Sequence, residues 1–172
     1  MQQILPASGE LPAGPSPASS KNDFDFLVGH WNIRNRKLKT RLNGCTEWIE
    51  FDAEQEMMKV LHGAGNIDFF RTRIDGLPFE GMTVRLFNPK TKLWSIYWAD
   101  SNTGVLDKPV TGSFEKGIGR FYSNDVFNGK DILVVFVWDV TNTNEPVWSQ
   151  AFSDDNGKTW EWNWYMYMSR LK

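Results

Sequence analysis

Few residues in this chain belong to types that do chemistry unaided. Cysteine occurs once, at Cys45, and histidine twice, at His30 and His62. A zinc site needs three or four ligands close together, and neither histidine has His, Cys or clustered carboxylate neighbours in sequence. No metal and no cofactor are therefore expected. Cys45 follows Gly44 with no partner thiol, so it reads as a small residue filling space and lends no support to an oxidising compartment. No nucleophile elbow, phosphate loop or dinucleotide fingerprint is present. Carboxylate pairs occur at Glu47 and Glu50 and at Asp154 and Asp155. Their spacing sends the two members to opposite faces of a strand, so neither is a pre-formed acid–base dyad.

The anomalies lie elsewhere. Arg34, Arg36, Glu50, Arg85, Tyr97, Gln150 and Asn163 are polar groups set within apolar runs. A polar side chain buried in such a run needs a partner. Arg85, between Val84 and Leu86, is the sharpest case. It can pair with Glu50 or Asp100 as pure structure, or receive a ligand carboxylate or phenolate. Aromatic residues are the second anomaly: nine tryptophans occur. In Leu93–Asp100 the alternation puts Trp94, Ile96 and Trp98 on one face and Ser95 and Tyr97 on the other. In the last run it puts Trp160, Trp162, Trp164, Met166 and Met168 together. Large aromatics fill cores and interfaces, and they also line ligand cavities in which a few polar groups fix orientation.

The elements that must position these residues are strands. After Asn22, which can cap a helical turn at 23–27, no apolar run keeps helical spacing for more than about three turns. Strand-like runs follow instead, at His30–Lys39, Cys45–Glu56, Met57–His62, Asn66–Ile74, Met82–Phe87, Leu93–Ala99, Val110–Glu115, Gly119–Val126, Asp131–Asp139, Pro146–Ser153 and Trp160–Arg170. Asn43-Gly44, Asp75-Gly76, Lys116-Gly117, Asn128-Gly129 and Asn156-Gly157 are turn dipeptides. No connection is long enough for a parallel crossover. The pattern predicts one all-β domain, a single antiparallel meander barrel of about eight to ten strands with a short N-terminal helical plug. Closure leaves no free edge, and a barrel of this size can enclose one small ligand.

Residues 1–22 carry four prolines among Ala, Ser and Gly and read as a flexible arm before a barrel over 23–172. The arm lacks the charges and apolar stretch of a signal peptide, and no run is long enough to span a membrane as a helix. The expectation is a cytoplasmic protein. Lys and Arg number 19 against 21 Asp and Glu, so the basic signature of a nucleic-acid binder is missing.

Gly29-His30-Trp31, preceded by the apolar turn Phe24, Phe26 and Leu27 and matched by Arg170 at the far end, resembles the lipocalin and fatty-acid-binding-protein superfamily, the calycins. The resemblance implies a floor helix under Trp31, with Arg170 packed on that indole. Leu27-Val28-Gly29-His30-Trp31-Asn32, Trp94 to Ser101 and Trp148 to Ser153 are similar to a bacterial lipocalin-like family without an assigned function, so this likeness supplies a fold and little chemistry. Locally, Ser153-Asp154-Asp155-Asn156-Gly157-Lys158-Thr159-Trp160 is similar to the Asp-box of sialidase propellers, where it is a structural hairpin. Asp155 and Trp160 would then be structural, and the absence of repeats argues against a propeller.

Three functions stay open. The first is a carrier or sensor binding a small apolar or aromatic molecule in the barrel, with Arg85, Tyr97, Trp98, Glu50, Arg36, Gln150 and Asn163 as ligand contacts. The second is an enzyme on the same barrel, using Tyr97, Glu50 or Asp100 for acid–base work. The third is a barrel filled solid whose Trp face joins a homodimer. An open interior separates the first two from the third.

Overall fold

The computed structural model describes residues 14–171. They form a closed barrel of ten antiparallel strands: β1 (Gly29–Leu38), β2 (Trp48–Val60), β3 (Gly65–Ile74), β4 (Leu77–Asn88), β5 (Leu93–Asp100), β6 (Val110–Glu115), β7 (Ile118–Phe127), β8 (Lys130–Asp139), β9 (Val147–Ser153) and β10 (Glu161–Arg170). Each strand pairs with its neighbours in sequence, and β10 closes the barrel on β1, with Trp31 opposite Arg170 and Lys37 opposite Trp164. The runs read separately as Cys45–Glu56 and Met57–His62 form one strand with a later start. No helix among the described residues is long and apolar enough to cross a membrane.

Turn chemistry sets the meander. At Asp75-Gly76, Lys116-Gly117 and Asn128-Gly129 both central residues have positive φ. That geometry matches the right-handed twist of the flanking strands. The Asn43-Gly44 hairpin does not form in the same way. β1 stops at Leu38 and β2 starts at Trp48, so residues 39–47 make a longer loop. Leu42 turns in against the core, and both Glu161 carboxylate oxygens accept its amide at 2.9 and 3.0 Å. A half-buried apolar side chain and a charge-assisted bond outweigh the local turn preference.

One end of the barrel is closed by the chain leading into β1. The helical plug is a single 3-10 turn, Asp25–Leu27, and its cap position is Phe24 rather than Asn22. The polar work falls to Asp23, which accepts from Ser20 N–H at 2.9 Å and from the Trp94 indole at 3.2 Å. Phe24 inserts edge-on between Trp94 and Phe114, with ring centroids 4.9 and 5.0 Å away. Trp31 is fully buried, donates to Leu27 O at 2.8 Å, and carries the Arg170 guanidinium 3.9 Å above its ring. Arg170 also donates to Val28 O and Phe26 O, stitching the last strand to the floor. The geometry agrees with the pair implied by the calycin likeness.

Part of the arm expected over 1–22 lies outside the described residues. Its end does touch the barrel, since Ser16 N–H donates to Ser113 Oγ at 3.1 Å and Ser16 and Ser19 are buried.

Candidate functional site

Alternation along the strands turns one set of side chains into the barrel, and above the floor these do not fill it. A cavity of about 400 Å³ remains, within the range of small-molecule sites. Its wall is largely aromatic, with Phe70, Trp98, Phe136, Trp138, Trp148 and Trp164 among the lining residues. Several of these rings meet edge to face: Trp148 lies 4.9 Å from Phe136 and 5.5 Å from Trp164. A wider concavity of about 660 Å³ lies between β1, β2 and β3 on the outer face, but it is open and rimmed by Arg34, Asp52, Glu54 and Arg71. The interior cavity is the more enclosed of the two.

Of the residues expected to touch a ligand, Arg85, Trp98 and Gln150 line the cavity. Arg85 is 3% exposed and forms an ion pair with the fully buried Asp68, with Asn66 Oδ1 accepting at 3.0 Å. Its guanidinium stacks 5.0 Å over Phe24 and 5.8 Å from Trp138, so it roofs the floor cluster. The partner is Asp68 rather than the expected Glu50 or Asp100. The reason is register: Asn66 faces Arg85 and Asp68 faces Thr83 across the β3–β4 ladder.

The other expected contacts stand elsewhere. Glu50 is exposed on the outer face, accepting from Arg34 at 2.6 Å, which holds its carboxyl below the usual range. Arg36 lies outside too, 4.3 Å over the Trp48 ring. Tyr97 sits opposite Val84 and does not line the cavity; alternation gives the interior to Ile96 and Trp98. Asn163 is fully buried behind the wall and accepts from Gln150 Nε2 at 2.8 Å. A bulge at Asn163 also divides the tryptophan face expected on the last strand. Trp162 pairs with Ala151 and Trp164 with Gln150, so the two indoles that strict alternation would put together point to opposite sides. Trp164 enters the cavity, while Trp160 and Trp162 pack outside over Tyr122, Val135 and Ala151.

Six polar residues of the cavity carry no expectation from the sequence: Lys37, Arg41, Gln55, Thr83, Asn102 and Asp107. Lys37 could have been found. Counting inward by twos from Trp31 gives Ile33, Asn35 and Lys37. Its Nζ lies 3.8 Å from the Trp164 ring centroid, and burial, aided by nearby Arg41, pushes it down to about 8. Arg41 comes from the 39–47 loop and reaches over Phe127 and Phe152, 5.4 and 6.0 Å away. Burial lowers its pKa as well, against an attraction to Glu161. Gln55 Nε2, Arg85 Nε and Arg41 Nε are buried donors without a hydrogen-bond partner.

Two acids line the opposite side of the mouth. Asp100 is engaged by the Asn102 and Thr103 amides and the Trp98 indole. Burial raises Asp107, helped by Asp125 and Asp100. Neither Tyr nor His is among the cavity-lining residues. His30 points outward, 3.7 Å from Glu56, and no cluster of three or more His, Cys, Asp or Glu able to hold a metal occurs among the described residues.

No family model matches this chain, and no curated protein matches it. The calycin likeness thus rests on the closed meander barrel, the plugged floor and the Trp31–Arg170 stack.

The Asp-box-like turn is a compact hairpin. Asp155 accepts from Thr159 Oγ1 at 2.6 Å, Ser153 Oγ at 2.8 Å and Thr159 N–H at 2.9 Å. These bonds, the Thr159 hydroxyl first, draw its carboxyl down to about 2. Trp160 caps the turn by donating to Gly157 O at 3.1 Å. None of residues 153–160 lines the cavity.

Proposed function

We propose that the protein is a carrier or sensor that binds a small aromatic or apolar molecule inside the barrel. The observation that carries this reading is the interior cavity of about 400 Å³, walled by aromatic rings and lined by only a few polar side chains, Gln55 and Arg85 among them. Aromatic walls supply affinity through apolar burial, and a few polar groups in such a wall fix a ligand's orientation. An acid–base enzyme would place a carboxylate beside a Tyr or His in the cavity. The lining instead offers Asp100, tied up by backbone amides, and Asp107. The volume left open speaks against a barrel built only as a solid structural module.

Tryptophan emission tests the reading, because Trp98, Trp138, Trp148 and Trp164 all line the cavity. Fatty acids, phenolic acids and flavonoids should be titrated against the wild type and Gln55→Leu. The expected result is a saturable change at micromolar concentration that weakens for oxygen-bearing ligands in Gln55→Leu. If no member of the panel changes the emission, the carrier reading fails.

A further inference from the structure

The two positive charges in the upper cavity are not matched as the deep one is. Arg85, at the bottom, is neutralised by Asp68 in a buried pair. A second anion placed there would be desolvated beside a carboxylate, which is costly. Lys37 and Arg41, at the mouth, have no carboxylate within ion-pair distance among the described residues. Two carboxylates act on them from beyond ion-pair distance, Glu161 on Arg41 and Asp100 on Lys37, and in each case burial outweighs the attraction. Lys37 rests on the Trp164 ring, and Arg41 lies over Phe127 and Phe152 with its Nε unpartnered. Two half-buried cations side by side repel each other and are only partly solvated, so an anion between them relieves both costs.

We propose that the cargo is a singly charged anionic amphiphile bound head-out, with its apolar body in the aromatic sleeve and its acidic group at the mouth between Lys37 and Arg41. This rests on the carrier reading and adds charge, orientation and the residues that select them. Trp98, Trp148 and Trp164 flank the body. At the deep end Gln55 and Arg85 line the cavity, and because Arg85 is already neutralised by Asp68 these surroundings suit a neutral group. Asp100 and Asp107 on the same mouth limit the head to one negative charge, since a second would face them directly.

The test uses two fluorescent probes of nearly the same shape, anilinonaphthalene sulfonate, an anion, and N-phenylnaphthylamine, which is neutral. Both are titrated against the wild type, Lys37→Met, Arg41→Gln and Lys39→Met. Lys39 is exposed and paired with Glu47 at 2.9 Å, so it controls for general surface charge. The wild type should favour the anion by about tenfold or more, the scale of one charge-assisted contact. Lys37→Met and Arg41→Gln should each remove most of that preference while neutral-probe affinity holds, and Lys39→Met should keep it. Arg41 stands in a loop, so its variant tests the idea independently of any change that Lys37→Met makes to the strand. Equal affinity of the wild type for both probes overturns the proposal and spares the carrier reading. A preference that survives both variants does the same. If neither probe binds, the carrier reading falls and takes this proposal with it.

Discussion

Individual side chains divide into those that hold the barrel and those that cost it stability. Trp31 is of the first kind. It is fully buried, hydrogen-bonded and sandwiched by Arg170. Trp31→Ala should destabilise by about 3–5 kcal/mol in urea melts, and a loss near that of a surface site would show that the floor repacks around the gap. Lys37 is of the second kind. Its charge is favoured by the Trp164 face, yet burial dominates and its pKa falls to about 8. A folded-state lysine pKa below the unfolded value means that the unfolded chain binds more protons between the two values. Stability contributed by this group therefore rises as pH climbs from about 8 towards about 10.4, the unfolded value. Lys37→Met should be more stable than the wild type by about 2 kcal/mol at neutral pH, with the gain shrinking to nothing above about pH 10. Melts at several pH values decide it, and a constant difference would mean that the lysine stays charged in water. A residue that weakens the fold and faces a cavity is a mark of function.

Strands and turns show what periodicity can and cannot predict. The two-residue turns were readable because Asp-Gly, Lys-Gly and Asn-Gly can supply two successive positive φ values. The inward face of β1 was readable by the same alternation that exposes His30 and Arg34. The face of β10 was not, because the bulge at Asn163 leaves no trace in the hydrophobic pattern. Arg41 was hidden for another reason: a loop has no period, and its path depends on a contact with Glu161 more than a hundred residues away in the chain. Close approach of backbones also escapes a pattern reading. A Cβ on Gly112 would lie 1.8 Å from Arg120 O, a backbone atom that cannot swing aside. Gly112→Ala should thus part β6 from β7 and cost about 1–3 kcal/mol or more; an unchanged melting temperature would show that the strands sit further apart. The Asp155 hairpin gives a pH signature. Its carboxylate support is complete above the unfolded value of about 3.9 and is lost as pH falls through about 2. In Asp155→Asn this acid-dependent component should vanish, as followed by thermal melts between those values.

At the scale of the whole molecule, barrel closure joins a packed floor to a mouth through which, under the carrier proposal, a ligand enters. The floor is welded by Phe24, Trp31 and Arg170 across the first and last strands. The ladders around the barrel are unequal. β1 and β2 pair along ten residues, from Gly29 with Met57 to Leu38 with Trp48. β5 and β6 are joined only through Trp94–Ile96 with Val110–Gly112, near the floor. Towards the mouth, β5 continues through Trp98 to Asp100 without a β6 partner, and the 101–109 segment covers it with two backbone bonds, Asp107 N–H to Trp98 O at 2.7 Å and Gly104 N–H to Asp100 O at 2.9 Å. Backbone groups held by a few loop bonds open at lower cost than those in a full ladder. The seam beside Trp98 is therefore where the wall should part, and it borders the cavity. Amide hydrogen exchange should be faster at Asp107 and Val110 than at residues paired between β1 and β2. A bound amphiphile resting on Trp98 should slow the seam more than the floor, since a ligand stabilises only the states that hold it. Uniform protection around the barrel, with and without the fluorescent anion, would place the entrance elsewhere.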